Sequence, residues 1–173
     1  MNKIFIISDL HLGHANIIKL ANRPFKTVEE MDNKIISNWN KVVGKDDLVY
    51  VLGDFCFKGK NAEYYLDKLN GKIFLIRGNH DNFIKHDKII GIRDYYELKH
   101  NGTKYILFHY PILSWNGMYR DIIHLYGHVH INSSKVERLN LPNSYNMNCE
   151  FWDYTPQQIE NFKPKHFITE MCC

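Results

Sequence analysis

The feature that most constrains the fold is a short apolar run ending in polar residues, which occurs five times along the chain. Each run is rich in Ile, Val, Leu, Phe and Tyr and is too short for a helix, as is typical of buried strands. An Asp, His or Asn follows closely each time, in the segments IFIISDLH, LVYVLGD, KIFLIRGNHD, YILFHY and IIHLYGHVH. Because open α/β sheets place ligand sites at the carboxyl ends of their strands, the pattern predicts a sheet edge lined with metal-ligand side chains.

Length and composition predict one globular domain that spans residues 1–173. The chain has 173 residues, of which 45% are hydrophobic, so a sizeable core is expected and a second domain is not. The net charge is +3 and the lysines are scattered. That distribution disfavours nucleic acid as a partner, whereas mild attraction of a small phosphorylated substrate is expected.

The cysteines and apolar segments predict a cytoplasmic protein with no membrane partner. Cys56, Cys149, Cys172 and Cys173 have neither the paired spacing of a zinc site nor the density of a disulfide scaffold, so we expect reduced thiols. The apolar run 4–7 is shorter than a signal-peptide core of about 7–15 residues, and no run approaches the roughly 18 residues of a membrane span. The oligomeric state is left open by the sequence.

Periodicity and turn residues predict the remaining elements. Thr27 and Glu30 have the spacing of a capping box, before a helix expected to reach Val43. Asn101-Gly102 is a strong hairpin signal between two strands. The other expected elements are strands at 3–8, 48–52, 95–99, 104–108, 122–126, 136–139 and 145–149, and a strand in the apolar run that begins at Lys72 and stops at Gly78. A helix is expected at 62–69, a helical turn after Asp81, a loop at 110–119 and a helix beginning near Thr155-Pro156.

Taken in order, these segments resemble the calcineurin-like metallophosphoesterase family. The family pattern is Asp-x-His, Gly-Asp, Gly-Asn-His-Asp or Glu, a lone His after a strand, and Gly-His-x-His. Any single piece is weak evidence, since Asp and Asn also favour turns, but the full set in order is specific and spans residues 1–130. The matching segments are Asp9-Leu10-His11, Gly53-Asp54, Gly78-Asn79-His80-Asp81, His109 and Gly127-His128-Val129-His130.

The resemblance implies both an architecture and a cofactor. The fold would be α/β, a four-layer α/β/β/α sandwich with two mixed β-sheets flanked by helices. The cofactor would be two divalent metal ions, and a mixture of imidazole and hard oxygen ligands suits Mn, Fe or Zn. By the family pattern, one ion is assigned to Asp9, His11 and His130, the other to Asn79, His109 and His128, and both to Asp54.

The activity implied is hydrolysis of a small phosphodiester or phosphomonoester, including nucleotide-like compounds, by attack of a metal-bridging hydroxide. His80 is the candidate general acid, because imidazole titrates near the required pH. Asp81 either orients His80 or caps the turn that follows the strand. His14 and Arg23 are candidate substrate-binding residues, and each also fits an ordinary structural role.

Two other functions remain open at this point. Related nucleases of DNA repair share the Asp-x-His start, but they add DNA-binding segments that this sequence lacks. A trafficking subunit related to the family uses the same fold as a non-catalytic scaffold. Such proteins typically lose metal ligands, whereas every ligand position of the pattern is filled here.

Overall fold

Two mixed β-sheets form the centre of the protein in the computed structural model, which describes residues 2–57, 61–82, 85–130 and 141–164. The strands of the first sheet are β1 (Ile4–Ile7), β2 (Leu48–Val51), β3 (Lys72–Ile76), β4 (Ile89–Arg93) and β9 (Gln157–Gln158). Those of the second are β5 (Tyr95–His100), β6 (Thr103–Phe108), β7 (Ile122–Tyr126) and β8 (Ser144–Asn146). The spatial orders are β4-β3-β2-β1-β9 and β5-β6-β7-β8.

Strand direction brings the ends of the apolar runs to one edge. In the first sheet β1, β2, β3 and β4 are parallel, and only β9 runs antiparallel to its neighbour β1. In the second sheet β6, β7 and β8 are parallel, and β5 pairs antiparallel with β6. The carboxyl ends of parallel strands share an edge, so the polar residues after each strand become neighbours.

Alternation along the strands of the first sheet sorts their side chains between two cores. One core lies between the two sheets and includes Ile6, Tyr50, Leu52, Ile76, Leu107, Ile123 and Leu125. The other lies under the helices and includes Phe5, Ile7, Val49, Val51, Met31, Ile35 and Trp39. Burial of each large aliphatic side chain contributes about 1.5–3 kcal/mol, which fixes the register because a one-residue slip would exchange the two faces.

Three helices cover the outer face of the first sheet in the described residues: α1 (Ala15–Leu20), α2 (Val28–Val42) and α3 (Ala62–Lys68). The cap predicted for α2 is present, since the Glu30 amide donates to Thr27 Oγ1 at 3.1 Å. The Glu30 carboxylate in turn accepts from the Lys26 amide at 2.9 Å. The second sheet is covered by the segment 110–121, in which Trp115 and Met118 pack on Ile106.

The predicted sandwich of two mixed sheets is confirmed, two local expectations change, and two elements were not expected. No prediction anticipated α1 or β4. The helix near Thr155-Pro156 is wrong, because β9 and a 3-10 helix at Ile159–Asn161 occupy that stretch. The strand expected at 145–149 ends at Asn146 and is followed by a 3-10 helix at Cys149–Trp152.

Some expectations cannot be compared with the structure. The strand expected at 136–139 and the cysteines Cys172 and Cys173 lie outside the described residues. Of the other cysteines, Cys56 and Cys149 are buried, and neither forms a disulfide bond within the described residues. Across the described ranges, none of the helices has the length and apolar character needed to cross a bilayer.

Candidate metal centre

The segments that follow β1, β2, β3, β6 and β7 meet at one edge of the sandwich. They surround a cavity of about 380 Å³ whose polar lining comes from His11, His14, Asp54, Asn79, His80, His128 and His130. Asp9 and His109 lie beside this lining and are fully buried. The side chains that the motifs single out therefore converge, as the strand-end argument predicts.

Left-handed backbone turns aim four of these side chains into the cluster. Asp9, His11, Asp54 and His128 have φ values of 56°, 51°, 54° and 67°, a region that residues other than glycine seldom adopt. The turns are tied to each other, because the Asp9 amide donates to Gly53 O at 3.0 Å and the His11 amide to Asp54 O at 2.9 Å. Strain of this kind persists where surrounding contacts over-determine it, which is common at functional sites.

Two glycines of the motifs permit close approach between loops. Gly53 has a φ of +95°, and a Cβ placed on it would collide with Nδ1 of His109. A Cβ on Gly127 would collide with Ser8 Oγ and the Asp9 carboxylate. Glycine is required at both positions because a neighbouring side chain occupies the space of a Cβ.

Asp54 stands between two imidazoles from different sheets. Its Oδ2 lies 3.5 Å from His11 Nε2 and 3.7 Å from His109 Nε2. Its Oδ1 accepts a hydrogen bond from the His80 amide at 2.9 Å, which holds the carboxylate in place. Burial raises the pKa of Asp54, since the charged form loses water. A carboxylate in this position can be shared by two cations.

One set of possible metal donors consists of Asp9, His11 and His130, whose ligand atoms all lie within 4.8 Å of one another. Burial raises the pKa of Asp9 to about 7, and burial together with the Arg23 charge lowers the pKa of His11 well below its usual value. Neither ring nitrogen of His11 has a hydrogen-bond partner. Buried polar atoms rarely lack partners, so the orphaned imidazole fits a cation.

A second set of donors gathers around His109. Its Nδ1–H donates to Leu52 O at 2.8 Å, which leaves the Nε2 lone pair directed at Asn79 Oδ1, 3.0 Å away. Nδ1 of His128 lies 3.1 Å from the same oxygen. Lone pairs that face each other in this way are compatible with a shared cation, and the Leu52 bond is the outer contact that fixes a ligand tautomer.

Arg23 supports the first donor set, an arrangement that favours the structural role over the predicted contact with substrate. Arg23 is 4% exposed. Its Nη2 donates to Asp9 O at 2.7 Å, its Nη1 to Leu10 O at 2.9 Å and its Nε to Glu150 Oε1 at 2.9 Å. With all three nitrogens donating inward, the guanidinium has no free edge for a substrate, and it anchors the Asp9 loop.

Glu150 is a site residue that the sequence analysis missed. Its Oε1 lies 2.7 Å from His130 Nδ1, an arrangement that directs Nε2 of the histidine toward the cluster. Although burial opposes the charged imidazole, the hydrogen bond and charge of Glu150 raise the pKa of His130. No motif marks Glu150, because its place depends on a 3-10 helix capped by Asn148.

Asp81 also has a different role from the two expected. Its carboxylate accepts from the backbone amides of Gly78 at 2.9 Å, Asp54 at 2.8 Å and Phe55 at 2.9 Å. These bonds join the loop after β2 to the loop after β3, and none of the three contacts the His80 ring. The helical turn expected after Asp81 would include residues 83 and 84, which lie outside the described residues. Asp81 is a positioning residue for Asp54, outside the reacting atoms.

His14 and His80 line the cavity next to the first donor set. The His80 ring centroid is 5.5 Å from that of His11, and the His14 ring is 6.3 Å from that of His80. His14 stacks on Phe57 with centroids 4.3 Å apart, and its buried Nδ1 has no hydrogen-bond partner. Both rings are placed where a bound ligand would touch them.

The fold and this edge define an α/β sandwich with a candidate metal site, because nitrogen and oxygen donors gather around the buried carboxylates of Asp9 and Asp54. The sequence profile of the calcineurin-like phosphoesterase family matches residues 2–168, and the chain belongs to that family. Membership supports metal-dependent phosphoester hydrolysis as the general activity.

Relatives of the chain cover most of its length. An uncharacterized protein of Methanocaldococcus jannaschii, MJ1445, is 41% identical over 165 residues, which are 92% of this chain and 89% of that protein. A solved structure of the Aquifex aeolicus protein AQ665, whose function is unknown, has a TM-score of 0.73 and 27% identity over 93% of this chain and 97% of its own. The Pseudomonas putida nuclease MPE gives a TM-score of 0.49 and 21% identity over 73% of this chain and 61% of its own.

Proposed function

We propose that this protein is a metal-dependent phosphoesterase that hydrolyses a small phosphodiester or phosphomonoester. The observation that carries the proposal is Asp54 Oδ2, placed 3.5 Å from His11 Nε2 and 3.7 Å from His109 Nε2. One carboxylate thus serves both donor sets, as a two-metal hydrolase requires.

The proposed ligands divide between two ions. Asp9, His11 and His130 would hold the first, Asn79, His109 and His128 the second, and Asp54 both. The donor set is mixed imidazole and oxygen, which suits Mn²⁺, Fe or Zn²⁺. Bound there, the ions would supply Lewis-acid activation of water and positive charge for the phosphoryl oxygens.

The side chains outside the ligand set have separate tasks in this proposal. His80 donates a proton to the leaving oxygen, and its backbone bond to Asp54 Oδ1 keeps it at a fixed place beside the shared carboxylate. His14 contacts the substrate from the cavity wall. Two carboxylates, Asp9 and Asp54, leave a positive surplus against two divalent ions, which favours an anionic ester.

The reaction type is tested with 4-nitrophenyl phosphate and bis(4-nitrophenyl) phosphate, each assayed with Mn²⁺, Ni²⁺, Zn²⁺ and Mg²⁺ after removal of bound metal. We expect turnover of at least one ester and about two ions per chain. Parallel assays on single- and double-stranded DNA test the nuclease alternative. Fewer than about one ion per chain after Mn²⁺ loading, without turnover, would support a scaffold instead.

The role of His80 has its own test. His80→Ala should retain both ions yet lose about 10²–10⁴-fold in kcat, most strongly on esters with poor leaving groups. The control is His86→Ala, which removes a histidine paired with Asp67 at the surface. His128→Ala should lose an ion. Equal metal loss in His80→Ala and His128→Ala would contradict the division of roles.

A further inference from the structure

The cavity has an apolar wall that the proposed chemistry does not use. Ile17, Leu20 and Ala21 line the same cavity as the histidines. Their spacing of three and four residues places them on one face of α1 and its carboxyl end. The metal cluster thus borders a hydrophobic surface within one cavity.

Leu20 is the part of this wall that a ligand would touch. Its side chain is 71% exposed, whereas Ile17 and Ala21 are buried beneath it. Covering an exposed aliphatic side chain in a ligand cavity with an apolar group of the ligand is favourable, because both surfaces leave water. Leu113 is similarly exposed, at 67%, but does not line the cavity.

The wall is held at a fixed position relative to the metal cluster. Helix α1 begins directly after His14, which lines the cavity. Beyond its carboxyl end, the Arg23 amide donates to Ile18 O at 2.8 Å, and the Arg23 guanidinium is bonded to Asp9 O. Both ends of the helix are therefore tied to the site, so the wall is preorganised for one ligand position.

The size and lining of the cavity favour an aromatic ring. About 380 Å³ falls within the range of roughly 300–1,000 Å³ that small organic ligands occupy, which is more than a phosphoryl group alone needs. The rings of His14 and His80 line the same space, with centroids 6.3 Å apart. A flat ring offers more apolar area to the imidazole rings and to Leu20 than a short alkyl group does.

We propose that the α1 wall is a subsite for the ring-bearing arm of an aromatic phosphoester, either an aryl or a nucleoside ester. The phosphoryl group lies at the metal cluster, and the ring lies against Leu20. The placement of the phosphoryl group rests on the proposed function. Methyl esters and inorganic phosphate would leave the wall bare and bind more weakly.

The test measures binding of phosphonates, whose carbon–phosphorus bond the proposed hydrolysis does not break. Calorimetric titration of the Mn²⁺-loaded protein uses methylphosphonate, phenylphosphonate and a nucleoside 5′-phosphonate. We expect phenylphosphonate to bind about tenfold more tightly than methylphosphonate. Leu20→Ser should reduce that ratio to about threefold or less, and Leu20→Met should preserve it. Leu113→Ser is the matched control and should leave it unchanged.

The outcomes separate the subsite from the activity. Equal affinity for methyl- and phenylphosphonate in the unaltered protein, or an unchanged ratio in a folded Leu20→Ser variant, would overturn the subsite even if esters are hydrolysed. A ring preference that depends on Leu20 would support it even if no ester is hydrolysed. If the nucleoside phosphonate binds more tightly than phenylphosphonate, the subsite takes nucleoside esters. If phenylphosphonate binds more tightly, the subsite takes aryl esters.

Discussion

Two buried histidines, His11 at the sheet edge and His124 within β7, have opposite surroundings. Nδ1 of His124 donates to Ile106 O at 3.1 Å, and Nε2 accepts from the Ile112 amide at 3.3 Å. Neither nitrogen of His11 has a hydrogen-bond partner, and Asp54 Oδ2 lies 3.5 Å from its Nε2. Both residues are buried.

The difference teaches how a structural histidine can be told from a functional one. Burial lowers the pKa of both, so both are neutral near pH 7. His124 satisfies its hydrogen bonds within the fold and therefore stabilises it. His11 leaves two polar atoms unsatisfied, which a bound cation would correct, so its contribution belongs to the site.

The largest expected effect comes from comparing deletion of the His11 ring with deletion of the His124 ring. His11→Ala should lose one ion and at least about 10³-fold in kcat/KM, because a metal supplies several kcal/mol of transition-state stabilisation. Its metal-free form should lose less stability than His124→Ala does, since the deleted nitrogens made no hydrogen bonds. His124→Ala should keep both ions and lose about 1–3 kcal/mol of stability. Metal loss in His124→Ala would break the distinction. Metal analysis and urea unfolding measure both quantities.

The same comparison can be made for two arginines, Arg23 in the buried network and Arg77 at the surface. Arg23→Met should lower the free energy of unfolding of the metal-free protein by about 3–5 kcal/mol, because it removes the guanidinium that faces the buried Glu150 carboxylate and holds the Asp9 loop. The matched control is Arg77→Met, which breaks an ion pair with Asp94 at the surface and should change stability by less than about 1 kcal/mol. Similar losses in the two variants would show that the Arg23 network is not a structural support.

The satisfied histidine also predicts a pH dependence. Burial lowers the pKa of His124 to about 4, whereas the unfolded chain has the ordinary value of 6.5. The unfolded state therefore binds more protons between these values, and stability is lost as the pH falls from 6.5 toward 4. His124→Asn should remove about 3 kcal/mol of that pH-dependent loss. The free energy of unfolding of both proteins is measured in denaturant as a function of pH. If the curves of His124→Asn and the unaltered protein were parallel, His124 would not be buried in its neutral form.

The smallest expected effect concerns Glu150, whose carboxylate contacts the proposed metal ligand His130. Glu150→Gln should weaken binding of one Mn²⁺ ion by about 10–100-fold, because the amide orients His130 less firmly, and leave the other ion unaffected. The matched control is Glu160→Gln, since Glu160 lies 2.7 Å from His100, the same distance as Glu150 from His130, but away from the site. Calorimetric metal titration distinguishes them. Weakening of both ions, or of neither, would contradict the role given to Glu150.

Features that depend on neighbouring residues were predictable. The start of α2 follows from Thr27 and Glu30, three positions apart. The β5–β6 hairpin turns at Asn101 and Gly102, which have φ values of 47° and +80°, as a tight hairpin turn of this type requires. The runs that became β1, β2, β3, β6 and β7 were recognisable because each is apolar and ends in polar residues.

Features that depend on distant partners were not predictable. The two residues of β9 pair with Phe5 and Ile6 at the other end of the chain, which overrides the helix-start pattern of Thr155-Pro156. The short helix α1 has no side-chain cap, and β4 has no fully buried residue and a register shift beside Ile73. Their local sequences carry weak signals because tertiary contacts stabilise them.

The sequence alone determined which side chains gather at the sheet edge, because strand direction and the order of the motifs follow from local apolar runs. Only the tertiary structure decided what supports them. Arg23 and Glu150 lie 127 positions apart, and Asp81 lies 27 positions from the Asp54 amide it accepts from. Packing between distant segments settles whether a polar side chain lines the cavity or bonds to the backbone around it. Local sequence patterns contain no information about that packing.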